Sequence, residues 1–503
     1  MESEGENSQM PEKPIQRRPY QMAGLIGGLL VFAAALMMGP PGDMPMAAWH
    51  VASIAALMAI WWITEAIPIS ATSFLPLALF PLLGVASIKD AATPYANPII
   101  FLFLGGFMIA AAMEKWQLHR RIALTILTLV GTRPDALIGG FMIATAGLSM
   151  WVSNTATTIM MLPIGLSVIA LVNEREGVIG ESGGNKGADG TNPFSIALLL
   201  SIAYAATIGG LGTLIGTVPN ALFAGYMNEE YGLEIGFAQW MLVGVPVALV
   251  MLAFTWWVLT RLAFSLGDKK MDQVEAVIKA ELDAMGPISR GEKLTALVFT
   301  CVAITWITRP LIGKVFPGLG LTDPGIAIIG ALALFLVPVD WRRGIFILDR
   351  EWARKLPWNV MILFGGGLSL AAAVTASGLA LSIGDMLSAF EEWPQLVIVV
   401  TVIALVVFLT ELTSNTATTV VFLPLTAALA LLVGLSPVDL MVPAVLAASC
   451  AFMIPVATPP NAIIFGSGLL HIPQMARAGF AINLGAIMVI TVAAYSLVGW
   501  VFG

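Results

Sequence analysis

The chain has 503 residues, 58% of them hydrophobic and only 11% charged, with a mean hydropathy of +0.90. A soluble domain carries about 25% charged residues, so the composition excludes a disordered chain and a soluble enzyme. With 24 Lys and Arg against 31 Asp and Glu, a net charge of −7, it also lacks the basic footprint of a nucleic-acid binder. Long unbroken apolar runs, rather than alternating short strands, point to an all-α polytopic membrane protein.

The first residues, MESEGENSQMPEKPIQRR, are polar and lack the apolar core of a signal peptide. Residues 1–19 are expected as a cytoplasmic tail and 20–45 as the region of the first transmembrane helix. A span needs about 20 mostly apolar residues to cross about 30 Å of hydrocarbon. By that measure eleven spans fall near 20–39, 46–64, 69–87, 97–114, 194–228, 237–262, 294–312, 323–340, 357–378, 440–470 and 479–502. Two further apolar stretches, 135–172 and 394–434, each carry Ser-Asn-Thr in the middle and read as re-entrant hairpins. The stretch 116–132, with a basic start and a mixed face, is expected along the cytoplasmic interface, and 379–393 takes the matching place outside. Trp61, Trp62, Trp341 and Trp358, near span ends, read as interface anchors.

Charge sets the expected orientation. With the N-terminus inside and both stretches treated as hairpins, 21 of the 24 Lys and Arg lie on the cytoplasmic side. Only Lys89, Arg309 and Lys314 lie outside, the bias of the positive-inside rule. A single crossing at either hairpin would invert the downstream pattern. The first hairpin therefore enters from the cytoplasm, the second from outside, and the C-terminus lies outside.

The chain also repeats itself. SNTATT occurs at 153–158 and again at 414–419, each followed by Leu-Pro, at 162–163 and 423–424. Gly105-Gly106 before Ala110–Ala112 matches Gly366-Gly367 before Ala371–Ala373 at the same offset of 261. Thr-Val-Pro-Asn-Ala at 217–221 pairs with Thr-Pro-Pro-Asn-Ala at 458–462, at an offset of 241 because the polar loop 173–193 lengthens the first half. Basic residues follow the first GG/AAA segment, whereas none lies between Lys355 and Arg477. The halves are thus expected as inverted-topology repeats, a mark of secondary transporters. The first covers 46–262 with its cytoplasmic-side hairpin, and a cytoplasmic loop follows at 263–293. The second covers 294–503 with its outside hairpin.

Ser-Asn-Thr at membrane depth is tolerated only inside protein or along a water-filled cavity. Its carbonyl and hydroxyl oxygens suit a hard cation such as Na⁺, while N–H groups, Asn amides and Thr hydroxyls suit an anion. Pro219 and Pro459-Pro460 are expected to break their helices and free backbone oxygens, with a helix N-terminus facing the break. Two tips and two breaks meeting at one place would make two cation cages flanking an anion pocket. No Lys or Arg lies in any of these four motifs, so a bound dianion would need cations and helix dipoles to offset its charge. Glu65, at a span end, reads as solvated; Glu411, three residues before Ser414, reads as hydrogen-bonded structure or as a tuner of a cage. Cys301, Cys450, His50, His119 and His471 share no ligand spacing, so no transition-metal site, cofactor or catalytic centre is expected. No GxxxxGK[ST] loop for a nucleotide-driven pump is present either.

These residues closely resemble the divalent anion/sodium symporter family, the INDY-type di- and tricarboxylate carriers, in which the doubled SNT motif is a hallmark. Ser449 to Ile464 is similar to the family's C-terminal signature, with Ile464 where Val is usual and Thr217-Val218-Pro219 in place of the common Pro-Pro form. The resemblance implies eleven spans plus two hairpins, a homodimer in the cell membrane and an elevator-type transport domain. It implies a first Na⁺ held by Ser149, Ser153, Asn154 and Gly216, and a second held by Thr410, Thr413, Asn415 and Ala457. Asn154, Thr155, Asn415, Thr416, Thr458 and Pro459 would contact the substrate carboxylates. The implied function is Na⁺-coupled symport of a C4-dicarboxylate such as succinate, malate or fumarate. Sulfate or other divalent-anion symport and Na⁺-independent dicarboxylate exchange remain alternatives; an anion channel or a membrane enzyme fits the motifs less well.

Overall fold

The computed structural model describes residues 18–179, 192–266, 271–386 and 392–503. Expectations for the 1–17 tail, most of the 173–193 loop, Lys269, Lys270 and residues 387–391 lie outside the described residues. The described chain is almost wholly helical; its one sheet pairs Pro338–Asp340 with Ile345–Phe346. Among the described residues, ten helices are long and apolar enough to cross a membrane.

Each of the two stretches folds as a pair of helices with its Ser-Asn-Thr motif at the turn between them. The first is Pro134–Ser149 followed by Asn154–Ile179, and the second is Gln395–Thr410 followed by Asn415–Leu432. In each, Asn of the Ser-Asn-Thr motif is the first helical residue after the tip, and Pro163 and Pro424 sit at matching points inside the return helices. The segments read as 194–228 and 440–470 are both interrupted. Pro193–Gly210 gives way to Val218–Tyr231, and Pro437–Ala448 to Pro459–Phe465. The prolines do not sit at the breaks. They occupy the first turn of each following helix, where a missing N–H has no intrahelical partner to lose. The helices that follow, Phe237–Trp257 and Ile472–Ala493, both run on into π-helical segments, Val258–Ala263 and Ala494–Val498.

Packing interleaves the halves. Asn154–Ile179 of the first hairpin packs against Pro459–Phe465, and Asn415–Leu432 of the second against Val218–Tyr231. Pro193–Gly210 runs through the centre and is buried on almost every side, as its small residues allow. A Cβ on Gly209 would meet the Ala146 carbonyl oxygen at 2.4 Å, so hairpin and broken helix touch backbone to backbone. Gly244 and Gly479 do the same for the flanking helices. A Cβ there would meet Leu211 O at 2.4 Å and Phe452 O at 2.2 Å, each in a break loop.

At the periphery, Pro19–Met38 and Arg290–Val315 are mostly exposed apolar helices, suited to lipid. The former packs on Met46–Thr64. The helix Leu118–Leu129 occupies the stretch expected as an arm, and it is tied at its N-terminal end. Lys115 bonds Asp349 at 2.7 Å, Trp116 donates to Ile347 O, and Arg121 pairs with Glu292 at 2.5 Å. Arg120 pairs with Glu281 on Asp272–Ala284, a helix inside the loop expected at 263–293. Leu379–Met386 begins the second arm.

Two expectations are corrected. The span drawn at 69–87 is not one helix. Pro68, Pro76 and Pro81 confine it to Ile69–Thr72 and Leu75–Leu82, and the chain turns at Ser73, whose carbonyl accepts from the Tyr95 hydroxyl. Trp61 and Trp62 are not interface anchors. They are 8% and 0% exposed, and their indole N–H groups donate to Leu25 O and Ile69 O. Trp341 and Trp358, 76% and 50% exposed, are free to lie at an interface.

Candidate functional site

The two tips and two breaks meet around one cavity of about 940 Å³. Asn154, Thr155, Asn415, Thr416, Thr458 and Pro459, the six positions expected to contact substrate, all line it. Of the eight positions expected to hold cations, Ser153, Asn154, Gly216, Thr413, Asn415 and Ala457 line it as well. Ser149 and Thr410 do not; both are fully buried behind the wall, and each reaches the asparagine that follows it.

The sequence repeat becomes a repeat of geometry at these two serine/threonine positions. Ser149 Oγ lies 2.6 Å from Asn154 Oδ1 and 2.6 Å from Ala206 O. Thr410 Oγ1 lies 2.8 Å from Asn415 Oδ1 and 2.8 Å from Ala448 O. A hydroxyl has one proton, so it can donate to only one of its two oxygen neighbours. Each half therefore gathers more oxygen lone pairs than it has protons to share between them. The first cluster closes further because residues 210 and 216 are glycines. A Cβ at Gly210 would meet Asn154 Oδ1 at 2.8 Å and Gly216 O at 3.1 Å, and one at Gly216 would meet Gly210 O at 2.5 Å.

The break loops are locked by the asparagines of the Pro-Asn motifs. Asn220 Nδ2 donates to Gly210 O at 3.0 Å and Thr213 O at 2.8 Å, and Asn461 Nδ2 to Ala451 O and Ile454 O, both at 3.2 Å. These acceptors correspond at the offset of 241 that relates the two motifs. Beyond them, Thr217 and Thr458 are the N-caps of the helices that lead away from the cavity. The helices beginning at Asn154, Val218, Asn415 and Pro459 thus all start at the cavity wall. The first N–H groups of the helices at Asn154, Val218 and Asn415 and the positive dipole ends favour an anion there, whereas Pro459 and Pro460 have no N–H to offer and the Asn461 N–H is taken by Thr458 Oγ1.

Sequence reasoning missed the opposite wall. Arg18, Tyr20, Gln21, Ile63, Thr64, Glu65, Phe103 and Phe107, at or on the helices Pro19–Met38, Met46–Thr64 and Pro98–Lys115, complete the lining. Arg18 and Glu65 are the charged side chains among the described residues of the lining. Glu65 is exposed, sits at the end of Met46–Thr64 in a left-handed conformation with φ of 48°, and its carbonyl accepts from Gln21 Nε2 at 3.2 Å. These residues have ordinary apolar or terminal contexts in the sequence, so nothing local marks them. Glu411, by contrast, does not reach the cavity. It turns back and takes hydrogen bonds from Phe452, Met453, Ile454 and Asn483.

Residues 20–502 match the family described as the sodium:sulfate symporter transmembrane region. The chain belongs to this family. It is therefore a multi-pass membrane transporter rather than an enzyme. Family relatives named sodium-dependent dicarboxylate transporter SdcS include one from Staphylococcus aureus strain USA300. It is 43% identical over 496 residues, which cover 98% of this chain and 94% of that protein. One from Staphylococcus saprophyticus is 44% identical over 485 residues, covering 96% and 92%. Two solved transporters share the fold at low identity. The YdaH transporter of Alcanivorax borkumensis matches with a TM-score of 0.54 at 14% identity, covering 89% of this chain and 99% of its own. MtrF of Neisseria gonorrhoeae matches with a TM-score of 0.57 at 12% identity, covering 93% and 98%.

Proposed function

We propose that this family member carries a C4-dicarboxylate such as succinate, malate or fumarate across the cell membrane, coupled to Na⁺. The observation that carries the reading is the paired oxygen cluster with too few protons. In each half an added cation would satisfy the lone pairs that one hydroxyl proton cannot. On this reading Ser149, Ser153, Asn154 and Gly216 hold one Na⁺, and Thr410, Thr413, Asn415 and Ala457 hold the other. Asn154, Thr155, Asn415, Thr416, Thr458 and Pro459 bind the carboxylates between them.

The chemistry couples the two ligands. The four motifs carry no basic side chain, so at the motifs the dianion's charge is offset by helix N-termini and by the two cations, Arg18 being the one basic side chain in the described lining. Anion affinity then depends on Na⁺ occupancy, and Na⁺ affinity on the anion, by the same factor. The relatives' named sodium dependence and dicarboxylate transport support the choice of ligands. The family's description names sulfate, and a dianion without a second carboxylate would meet the same donors; sulfate symport is the second reading, beside Na⁺-independent exchange.

The two halves act as inverted-topology repeats, with the N-terminus cytoplasmic and the C-terminus outside. Hairpins and broken helices travel together past a fixed scaffold in an elevator motion, within a homodimer. The tied arm Leu118–Leu129 supports a fixed strut against which the first hairpin moves. Uptake of labelled succinate and of labelled sulfate into proteoliposomes, with and without an inward Na⁺ gradient, tests the reading. Na⁺-driven succinate uptake is expected, with Asn154→Ala and Asn415→Ala each weakening it and its Na⁺ dependence. Succinate uptake indifferent to Na⁺ overturns symport, and sulfate uptake that succinate does not compete with overturns the substrate class.

A further inference from the structure

Glu411 is 3% exposed and lies between Thr410 and the Ser-Asn-Thr tip of the second hairpin. Its Oε1 accepts from the backbone N–H of Phe452 at 2.6 Å, from that of Met453 at 2.9 Å and from Asn483 Nδ2 at 2.7 Å. Its Oε2 accepts from Met453 N at 3.0 Å and Ile454 N at 3.1 Å. One carboxylate thus holds three successive amides of the second break loop, and ties them to the helix Ile472–Ala493 through Asn483. No Lys, Arg or His pairs with it among the described residues. Dipoles solvate the charge without cancelling it.

The first half does without this device. Met150 stands where the second half has Glu411, and Leu211–Thr213 where it has Phe452–Ile454. By the register that aligns Gly244 with Gly479, Ala248 stands where it has Asn483. Both members of the acid–amide pair are therefore replaced by apolar residues. No carboxylate holds the first break loop there; Thr213 Oγ1 donates to the Met150 carbonyl at 2.5 Å, and Trp240 Nε1 of the following helix donates to Leu211 O at 3.0 Å. The bonds from Ser149 and Thr410 to the asparagine that follows each are matched across the repeat, whereas Met150-Trp151-Val152 and Glu411-Leu412-Thr413 differ throughout, Glu411 being the charged member.

We propose that Glu411 is a positioning residue for the second cation site, and that it makes the two sites unequal. The inference rests on the Na⁺ reading given above. Glu411 follows Thr410 directly, and the amides it holds lead into Ala457 and Thr458, so one side chain sets the spacing between both sides of that cage. Its uncancelled negative charge, in surroundings of low dielectric, favours a cation nearby. The first cage has neither the charge nor the clamp and binds its cation more weakly. Na⁺ then fills the second site first, and occupancy of the first site follows the substrate.

The test uses the full chain in proteoliposomes, titrating Na⁺ against labelled succinate uptake, alongside thermal melting of the purified protein in Na⁺ or choline without substrate. Glu411→Gln keeps the size, removes the charge and turns one oxygen into a donor that faces amides. It should raise the Na⁺ concentration for half-maximal uptake by about ten- to a hundredfold, the usual effect of losing an outer-sphere partner. The succinate KM at saturating Na⁺ should stay within about twofold, because the carboxylate contacts are elsewhere. Asn483→Ala leaves the charge, removes one donor and should shift the Na⁺ dependence less, in the same direction; it decides the matter if Glu411→Gln does not fold. A purely structural role would lower the melting temperature equally at every Na⁺ concentration and leave the Na⁺ titration in place. A wild type that responds to Na⁺ while both variants titrate like it overturns the assignment of Glu411 alone. A wild type whose uptake and melting both ignore Na⁺ overturns the coupling reading and this inference with it.

Discussion

Gly216→Ala is the most local test of the first oxygen cluster. The added Cβ would meet Gly210 O at 2.5 Å and Gly210 C and Cα at 3.0 Å. The obstacle is backbone at the end of a helix buried almost all round, so no flexible side-chain tip can swing aside. About half an ångström of separation is needed to bring that oxygen to 3.0 Å, itself a tight contact. Overpacking of this kind costs about 1–3 kcal/mol. The larger effect falls on function, because the Gly210 backbone that must shift lies beside Asn154 Oδ1, which a Cβ at Gly210 would meet at 2.8 Å. A displacement approaching 1 Å at a positioned group can cost about a hundredfold in rate. The expected result is Na⁺-driven succinate uptake reduced at least about tenfold, a raised half-saturating Na⁺ concentration, and a small loss of thermal stability. Gly147→Ala is the control. It lies two residues from Ser149, with nothing within 4 Å of its Cβ, and should be neutral or slightly stabilising. Alanine is not foreign to the motif, since Ala457 stands at the equivalent place in the second half. Gly216→Ala with wild-type uptake and an unmoved Na⁺ titration would refute the close-approach argument.

Two further outcomes follow from packing and charge. Trp62→Ala should cost about 3–5 kcal/mol, because that indole is 0% exposed, while Trp341→Ala, 76% exposed, should stay within about 0.5 kcal/mol; thermal melting in detergent ranks the two, and equal effects would contradict the correction made for Trp62. The hydrogen bond from Lys115 holds the Asp349 carboxyl below the usual carboxylate range. A lowered acid stabilises the fold above its unfolded pKa, about 3.9, and loses that contribution as pH falls through the lowered value. Asp349→Asn keeps the cap on Glu351 and Trp352 but not the charge. With Asp349 nearly half exposed, the change should cost under about 1 kcal/mol at neutral pH. The melting curves of variant and wild type should run parallel from about pH 8 to 5 and converge only below about pH 4; convergence already at pH 6 would refute the assignment.

Much of the fold is legible because its signals are local. The stretches drawn at 135–172 and 394–434 overlap the helix pairs Pro134–Ile179 and Gln395–Leu432, the first ending well short of Ile179. Polar triplets inside apolar runs are chemically conspicuous, and a duplicated one removes the ambiguity of a single instance. The errors lie where burial decides. Trp61 and Trp62 sit near a span end, which in sequence looks like an interface. Packing takes them out of it: Trp61 is covered by Pro19–Met38, and Trp62 is buried in the main core with its indole bonded to Ile69 O. The 69–87 stretch has the hydropathy of a span, but three prolines and the turn at Ser73 leave it two short helices. Asp272–Ala284 lies in the stretch read as a loop; it is a helix of good helix formers that docks on Leu118–Leu129, and thirteen residues alone are marginal without such docking.

By itself, the sequence determined that this is a helical membrane protein built from two related halves, and which polar residues face its interior. Hydropathy, positive charge and a duplicated motif are one-dimensional quantities, and the cost of burying polar groups in lipid makes them decisive. Only the tertiary structure decided which of those residues meet. The two SNT tips lie 261 residues apart in the chain yet line one cavity, and Ser149 and Thr410 stand behind the wall rather than in it. It alone placed Glu411 against the backbone of the second break, with Met150 in the corresponding place of the first. Such contacts depend on the relative position of helices that close packing fixes to fractions of an ångström, and no periodicity along the chain encodes that.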